Sequence, residues 1–172
     1  MTESATSQPL KKVEKPAHSQ SESIISAISV GFVFILFGAI YVIALPTNLF
    51  QKTIDFFGNL TSRQLPGTDI FLPAPTIPGA HTAVYTAAFQ FCLGLIFLQV
   101  VVLLLRLVWN SPTAKTAETI GNLVFWTGSA WLATTFLNNH TTVNTWFVFW
   151  AGVLVMIGIS LIARGAILLL RK

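Results

Sequence analysis

Apolar residues run through this chain in long blocks separated by short polar stretches. From Ile24 to Leu45, 22 residues carry no charge. Thr82 to Leu105 supplies another 24, closing on Arg106, Trp109 and Asn110. Between Glu118 and Arg164 lie 45 uncharged residues, too many for one crossing but suited to two joined by the polar turn Asn138-Asn139-His140-Thr141-Thr142. A helix needs about 20 apolar residues to cross roughly 30 Å of hydrocarbon at 1.5 Å per residue. The pattern therefore predicts an all-α integral membrane protein, a four-helix bundle with spans at about 24–45, 82–105, 119–137 and 145–170.

The segment between the first two spans, residues 46–81, divides in two. Around Leu49 the apolar Leu49, Phe50, Ile54, Phe56, Phe57 and Leu60 gather on one side of a helix, and Gln51, Lys52, Asp55 and Asn59 on the other. That stripe fits a helix lying flat at the outer interface, or one folded over the bundle as a lid. The second half, Leu65 to Gly79, holds four prolines, which predict extended chain without regular sheet and turns near Pro66-Gly67 and Pro78-Gly79. Its Ile70, Phe71, Leu72 and Ile77 are expected to pack on the bundle rim or on a partner.

Composition agrees with the pattern. Of the 172 residues 53% are hydrophobic and 9% charged, against about 25% charged in an ordinary soluble domain. The first 23 residues, rich in Ser, Thr, Lys, Glu and Pro, read as a disordered cytoplasmic tail. The net charge of +4 is no nucleic-acid signature, because the basic residues are distributed as in a membrane protein. Lys11, Lys12, Lys15, Arg106, Lys115, Arg164, Arg171 and Lys172 fall on one face of a four-span chain, and only Lys52 and Arg63 on the other. The positive-inside rule then puts both termini in the cytoplasm of a multi-pass cell-membrane protein. The triplets Asn59-Leu60-Thr61 and Asn139-His140-Thr141 land outside, in agreement with this orientation.

Polar residues within spans are the functional candidates, since burying them costs free energy unless they find partners. His81, Tyr85, Cys92, Gln99 and Arg106 recur at intervals of 4, 7, 7 and 7, one stripe of the second helix. A pathway or binding crevice would use such a stripe, and so would ordinary interhelical hydrogen bonding. Asn122, Ser129 and Ala133, with Gly121 and Gly128, mark close contacts of the third helix, as Ala27 and Gly31 do on the first. Arg106, Lys115, Glu118 and Arg164 form a charge cluster at the inner boundary, in which Glu118 is expected to reach Arg106 or Arg164. Ser111 and Pro112 are expected to supply the N-cap and first turn of the third helix.

Reaction chemistry is sparse. Cys92 is the single cysteine, so no disulfide or Cys-x-x-Cys pair exists. No carboxylate lies in mid-membrane, and no phosphate loop, His-Glu-x-x-His or Gly-x-Ser-x-Gly occurs. His81 and His140 are the one pair able to suggest a metal or haem site, and no cofactor is expected otherwise. Tetraspanins, claudins and disulfide-generating four-helix proteins are excluded by their missing cysteines. The stretch Ala117 to Trp126, with Trp131 and Thr135-Phe136-Leu137, resembles small four-helix membrane proteins of archaea over about one helix, and the resemblance implies no activity. Three functions remain: a non-enzymatic structural or accessory component of a membrane assembly, a small transporter or channel using the stripe, and a membrane oxidoreductase subunit. The expected partners are the lipid bilayer, a second copy or another membrane protein, and no nucleic acid.

Overall fold

The computed structural model describes residues 17–170. Five α-helices account for most of them: α1 (Ala17–Ile43), α2 (Leu49–Gly58), α3 (Thr82–Val108), α4 (Thr113–Phe136) and α5 (Val143–Leu170). Two short strands, β1 (Leu60–Gln64) and β2 (Phe71–Pro75), lie between α2 and α3, and 3-10 turns occupy Leu45–Thr47 and Pro78–His81. Three helical segments, Glu22–Ile43, Pro78–Val108 and Val143–Leu170, are long and apolar enough to cross a membrane.

Helix α1 begins at Ala17, inside the stretch read as a disordered tail. Residues 1–16, with Lys11, Lys12 and Lys15, lie outside the described residues, as do Arg171 and Lys172. Helix α4 starts at Thr113, six residues ahead of the apolar span. Its N-cap is Pro112, which contributes no side-chain bond, so Ser111 does not play the capping role its sequence position suggests. The α4–α5 turn is closed by Thr141, whose hydroxyl accepts from the Asn138 backbone N–H at 2.7 Å. Thr142 and Thr145 then exchange bonds, each hydroxyl accepting the other's backbone N–H at 2.7 and 3.2 Å. These are the reciprocal bonds of a capping box, and they start α5.

The main packing runs in sequence order, α1 on α3, α3 on α4 and α4 on α5. Glycines set the approaches. Leu36 of α1 sits over Gly94 of α3, and Met156 of α5 over Gly128 of α4. A Cβ on Gly121 would stand 3.1 Å from the Ser160 carbonyl oxygen. Small residues let helices approach this closely, and dispersion does the rest. Helix α4 carries the largest buried set: Thr116, Ala117, Thr119, Gly121, Ser129, Ala130, Leu132 and Ala133. Helix α5 buries only Trp146 and Phe147. A helix shielded on two sides can be rich in Thr, Ala and Gly, which is why α4 is less apolar than its neighbours.

The expectation that prolines exclude sheet is overturned, because β1 and β2 form an antiparallel hairpin. The Thr76 N–H donates to Asn59 O at 2.9 Å and Leu65 N–H to Ile70 O at 2.8 Å, which fixes the phase of the ladder. Pro73 and Pro75 pair with Ser62 and Leu60. Those are the positions whose nitrogens point away from the partner strand, so no ladder bond is lost. Leu65-Pro66-Gly67-Thr68 is a tight turn with Gly67 at φ 78°, closed by Thr68 N–H to Leu65 O at 3.1 Å. A left-handed residue third in the turn is the type II requirement that glycine meets.

The hairpin is seated on one end of the long helices. Ala74 is fully buried with Tyr85, Trp146 and Phe147, and Phe56, Leu65, Leu137 and Val143 pack around them. Trp146 Nε1 donates to Pro73 O at 3.3 Å. Ile70, Phe71, Leu72 and Ile77, expected on the bundle rim or on a partner, are exposed and do not pack on the rim. It is the small Ala74 and Pro75 that the ribbon turns inward.

Candidate functional site

At the other end of the long helices, α1, α3 and α4 enclose a polar cleft of about 350 Å³. Arg106, in the last turn of α3, is its hub. The guanidinium donates through Nη1 to the Lys115 carbonyl and to the Thr119 hydroxyl on α4, and through Nη2 to Glu22 Oε2 on α1 at 3.2 Å. One side chain therefore ties three helices together. Donation from two separate nitrogens of one planar fork is what arginine offers and the single ammonium of lysine does not. Arg106 Nε and Glu22 Oε1 are buried without a partner.

Glu22 belongs to α1, so Glu118 is not the only carboxylate on the helical core. The legible signal is Glu22, Ser26 and Ser29 at i, i+4 and i+7, the same face that carries Ile25, Phe32, Val33 and Leu36 onto α3. Glu118 pairs with Lys115 at 3.2 Å, one helical turn away, and not with Arg106 or Arg164. That pair is half-exposed. Arg164 stands apart from the cleft: its Cβ packs near Gly121, on the flank of α4 that meets α5. Helical phase separates the two flanks, so the four charges do not form one cluster.

The stripe on α3 divides in the same way. Gln99 and Arg106 line the cleft, together with Asn122 of α4. Cys92 is half-buried. At the hairpin end the Tyr85 hydroxyl donates to Pro78 O at 2.8 Å, and His81 lies edge-on to Phe56 with ring centroids 5.2 Å apart. Between the two ends the α1–α3 seam is filled by Leu95, Leu98, Phe91 and Leu36, with Trp126 against them.

His140 is exposed in the α4–α5 turn, where its N–H bonds Asn138 Oδ1 at 2.8 Å, while His81 is buried. Among the described residues no group of three or more His, Cys, Asp and Glu is arranged to hold a metal ion. In the cleft Arg106 of α3 faces Glu22 of α1, a pair that holds two helices together, and Lys115 faces Glu118 within α4. Gly121 and Gly128 make the close contacts expected of them, both onto α5, whereas Gly31 faces open space.

Comparison with known proteins finds no matching family, no similar curated protein and no similar solved structure. The apolar helices make this chain a candidate membrane protein.

Proposed function

We propose that the chain is a non-enzymatic, multi-pass component of the cell membrane, crossing four times with both termini cytoplasmic and acting by association, as a structural or accessory subunit. The observation that carries this reading is the open row of helices. Phe34 and Ile35 of α1 and Leu154 and Ile162 of α5 stand exposed on the flanking helices, while Arg106 and Lys115 within the fold are each paired with a carboxylate, Glu22 and Glu118.

Support for the fourth crossing comes from the two ends of α4. Near its start Lys115 meets Arg106; just past its end Asn139 meets Gly79, where a Cβ would be 2.5 Å from the Asn139 carbonyl oxygen. Its 24 residues correspond to about 36 Å of helix, enough to cross a hydrocarbon core of roughly 30 Å. A pathway along α3 is the weaker reading, because the Tyr85 end of the stripe is tied into the hairpin cap.

The test is crosslinking in native membranes, with single cysteines at Ile35 and Ile162 in a Cys92→Ser background. The reading expects discrete crosslinked species at one or both sites. A chain that remains monomeric at both sites contradicts it.

A further inference from the structure

Towards the hairpin end, α1, α2 and α3 enclose a second recess of about 390 Å³, similar in size to the polar cleft but apolar in its lining. Its walls are Phe37, Ile40 and Tyr41 of α1, Phe50 of α2, and Ala88 and Phe91 of α3. The recess exists because α3 presents small alanines where α2 passes over it. Phe37 and Phe91, with ring centroids 4.8 Å apart, close one end. The Thr53 hydroxyl, the other polar group on the wall besides Tyr41, is already donated to Leu49 O at 2.8 Å. A ligand here is held by apolar contact, with one phenol at the mouth. The volume lies within the range of small-ligand sites, about 300–1,000 Å³.

The walls also indicate where the ligand comes from. Phe37, Tyr41 and Phe50 are exposed, so they face the recess and the outside together. They continue the exposed apolar flank of α1 formed by Phe34 and Ile35, which on the membrane reading meets lipid wherever no partner covers it. Helix α2 agrees in its phasing. Leu49, Thr53 and Phe56 are half-buried, Phe50, Ile54 and Phe57 are exposed, and Gln51, Lys52 and Asp55 occupy the remaining side. That order, packed face, free apolar stripe, polar face, is what a helix lying in an interface requires.

We propose that this groove holds one acyl chain of a membrane lipid, lying under α2 with its polar end at the level of Tyr41. The proposal rests on the membrane reading above. It places Phe50 as a roof over the chain and Phe50, Ile54 and Phe57 at the depth of the upper acyl region.

The experiment uses the full chain in phosphatidylcholine nanodiscs carrying a diazirine in the acyl chain, with crosslink sites mapped by mass spectrometry. Labelling is expected to concentrate on Phe37, Tyr41 and Phe50, above the level at Leu154 and Ile162 of α5. Ala88→Phe, which fills the groove, should reduce the Phe37 and Tyr41 signal several-fold and leave α5 unchanged. Phe50→Ala, at an exposed position, provides a second variant and should bring Tyr41 labelling down towards the α5 level. Labelling of the groove no denser than that of α5, or unaffected by both variants, overturns the inference alone. Absence of labelling from α5 as well overturns the membrane reading and the inference with it.

Discussion

Arg106 and Glu22, 84 positions apart in sequence, are joined by an ion pair of 3.2 Å whose side chains are 12% and 21% exposed. Exposed pairs contribute about 0–1 kcal/mol, and breaking a fully buried one costs about 3–5 kcal/mol. This pair stands between those limits. Glu22→Gln is expected to destabilise the protein by about 2 kcal/mol, and Arg106→Gln by more, because it also removes the bonds to Lys115 O and Thr119. Thermal unfolding in detergent of both single variants and the double variant measures the coupling, expected to exceed about 0.5 kcal/mol as for contacting groups. By contrast, Lys115→Gln, which breaks the half-exposed pair with Glu118, should cost no more than a few tenths of a kcal/mol.

The contact between Gly79 and the α4–α5 turn leaves no room for a side chain. Gly79→Ala drives a methyl group against the backbone oxygen of Asn139, which cannot rotate aside, and overpacking of this kind costs about 1–3 kcal/mol. Gly58, at the end of α2, meets nothing within 4 Å, and its alanine variant should stabilise by about 0.5 kcal/mol through helix propensity. Opposite signs from the two glycines in one unfolding assay are the expected result.

Tyr85 fastens the segment that leads from the hairpin into α3. Tyr85→Phe deletes the bond to Pro78 O and should cost about 1 kcal/mol. Limited proteolysis should show the extra cleavage near Pro78–His81 and leave the Arg106 end unchanged.

The long helices were legible in the sequence because lack of charge over 20 or more residues has few other causes. Helix α2 was legible from its apolar stripe, although the sequence left open whether it lies flat or folds over the bundle. In the structure Phe56 packs on His81, Tyr85 and Trp146, so α2 folds onto the bundle, while Phe50, Ile54 and Phe57 remain exposed. The hairpin was hidden because proline content alone carries no strand phase, and Pro73 and Pro75 occupy the one phase a ribbon tolerates. Half of the candidate site was visible. Gln99, Arg106, Lys115 and Glu118 line the cleft, but in sequence Glu22 reads as part of the tail and Arg164, which stands by Gly121 outside the cleft, groups with the other charges. The first difference concerns where α1 begins, since polar residues extend a helix beyond its apolar span; the second concerns which helix face meets which neighbour, a relation that spacing along one helix does not contain.

The central claim is that α4 crosses the membrane between α3 and α5. Single cysteines at Thr68 in the hairpin turn, Asn110 between α3 and α4, and His140 between α4 and α5 test it in sealed vesicles, all three positions being exposed. With Cys92 replaced by serine, a membrane-impermeant maleimide should reach Thr68→Cys and His140→Cys from the same side and Asn110→Cys only from the other. Thr68→Cys and His140→Cys reacting from opposite sides would contradict the account.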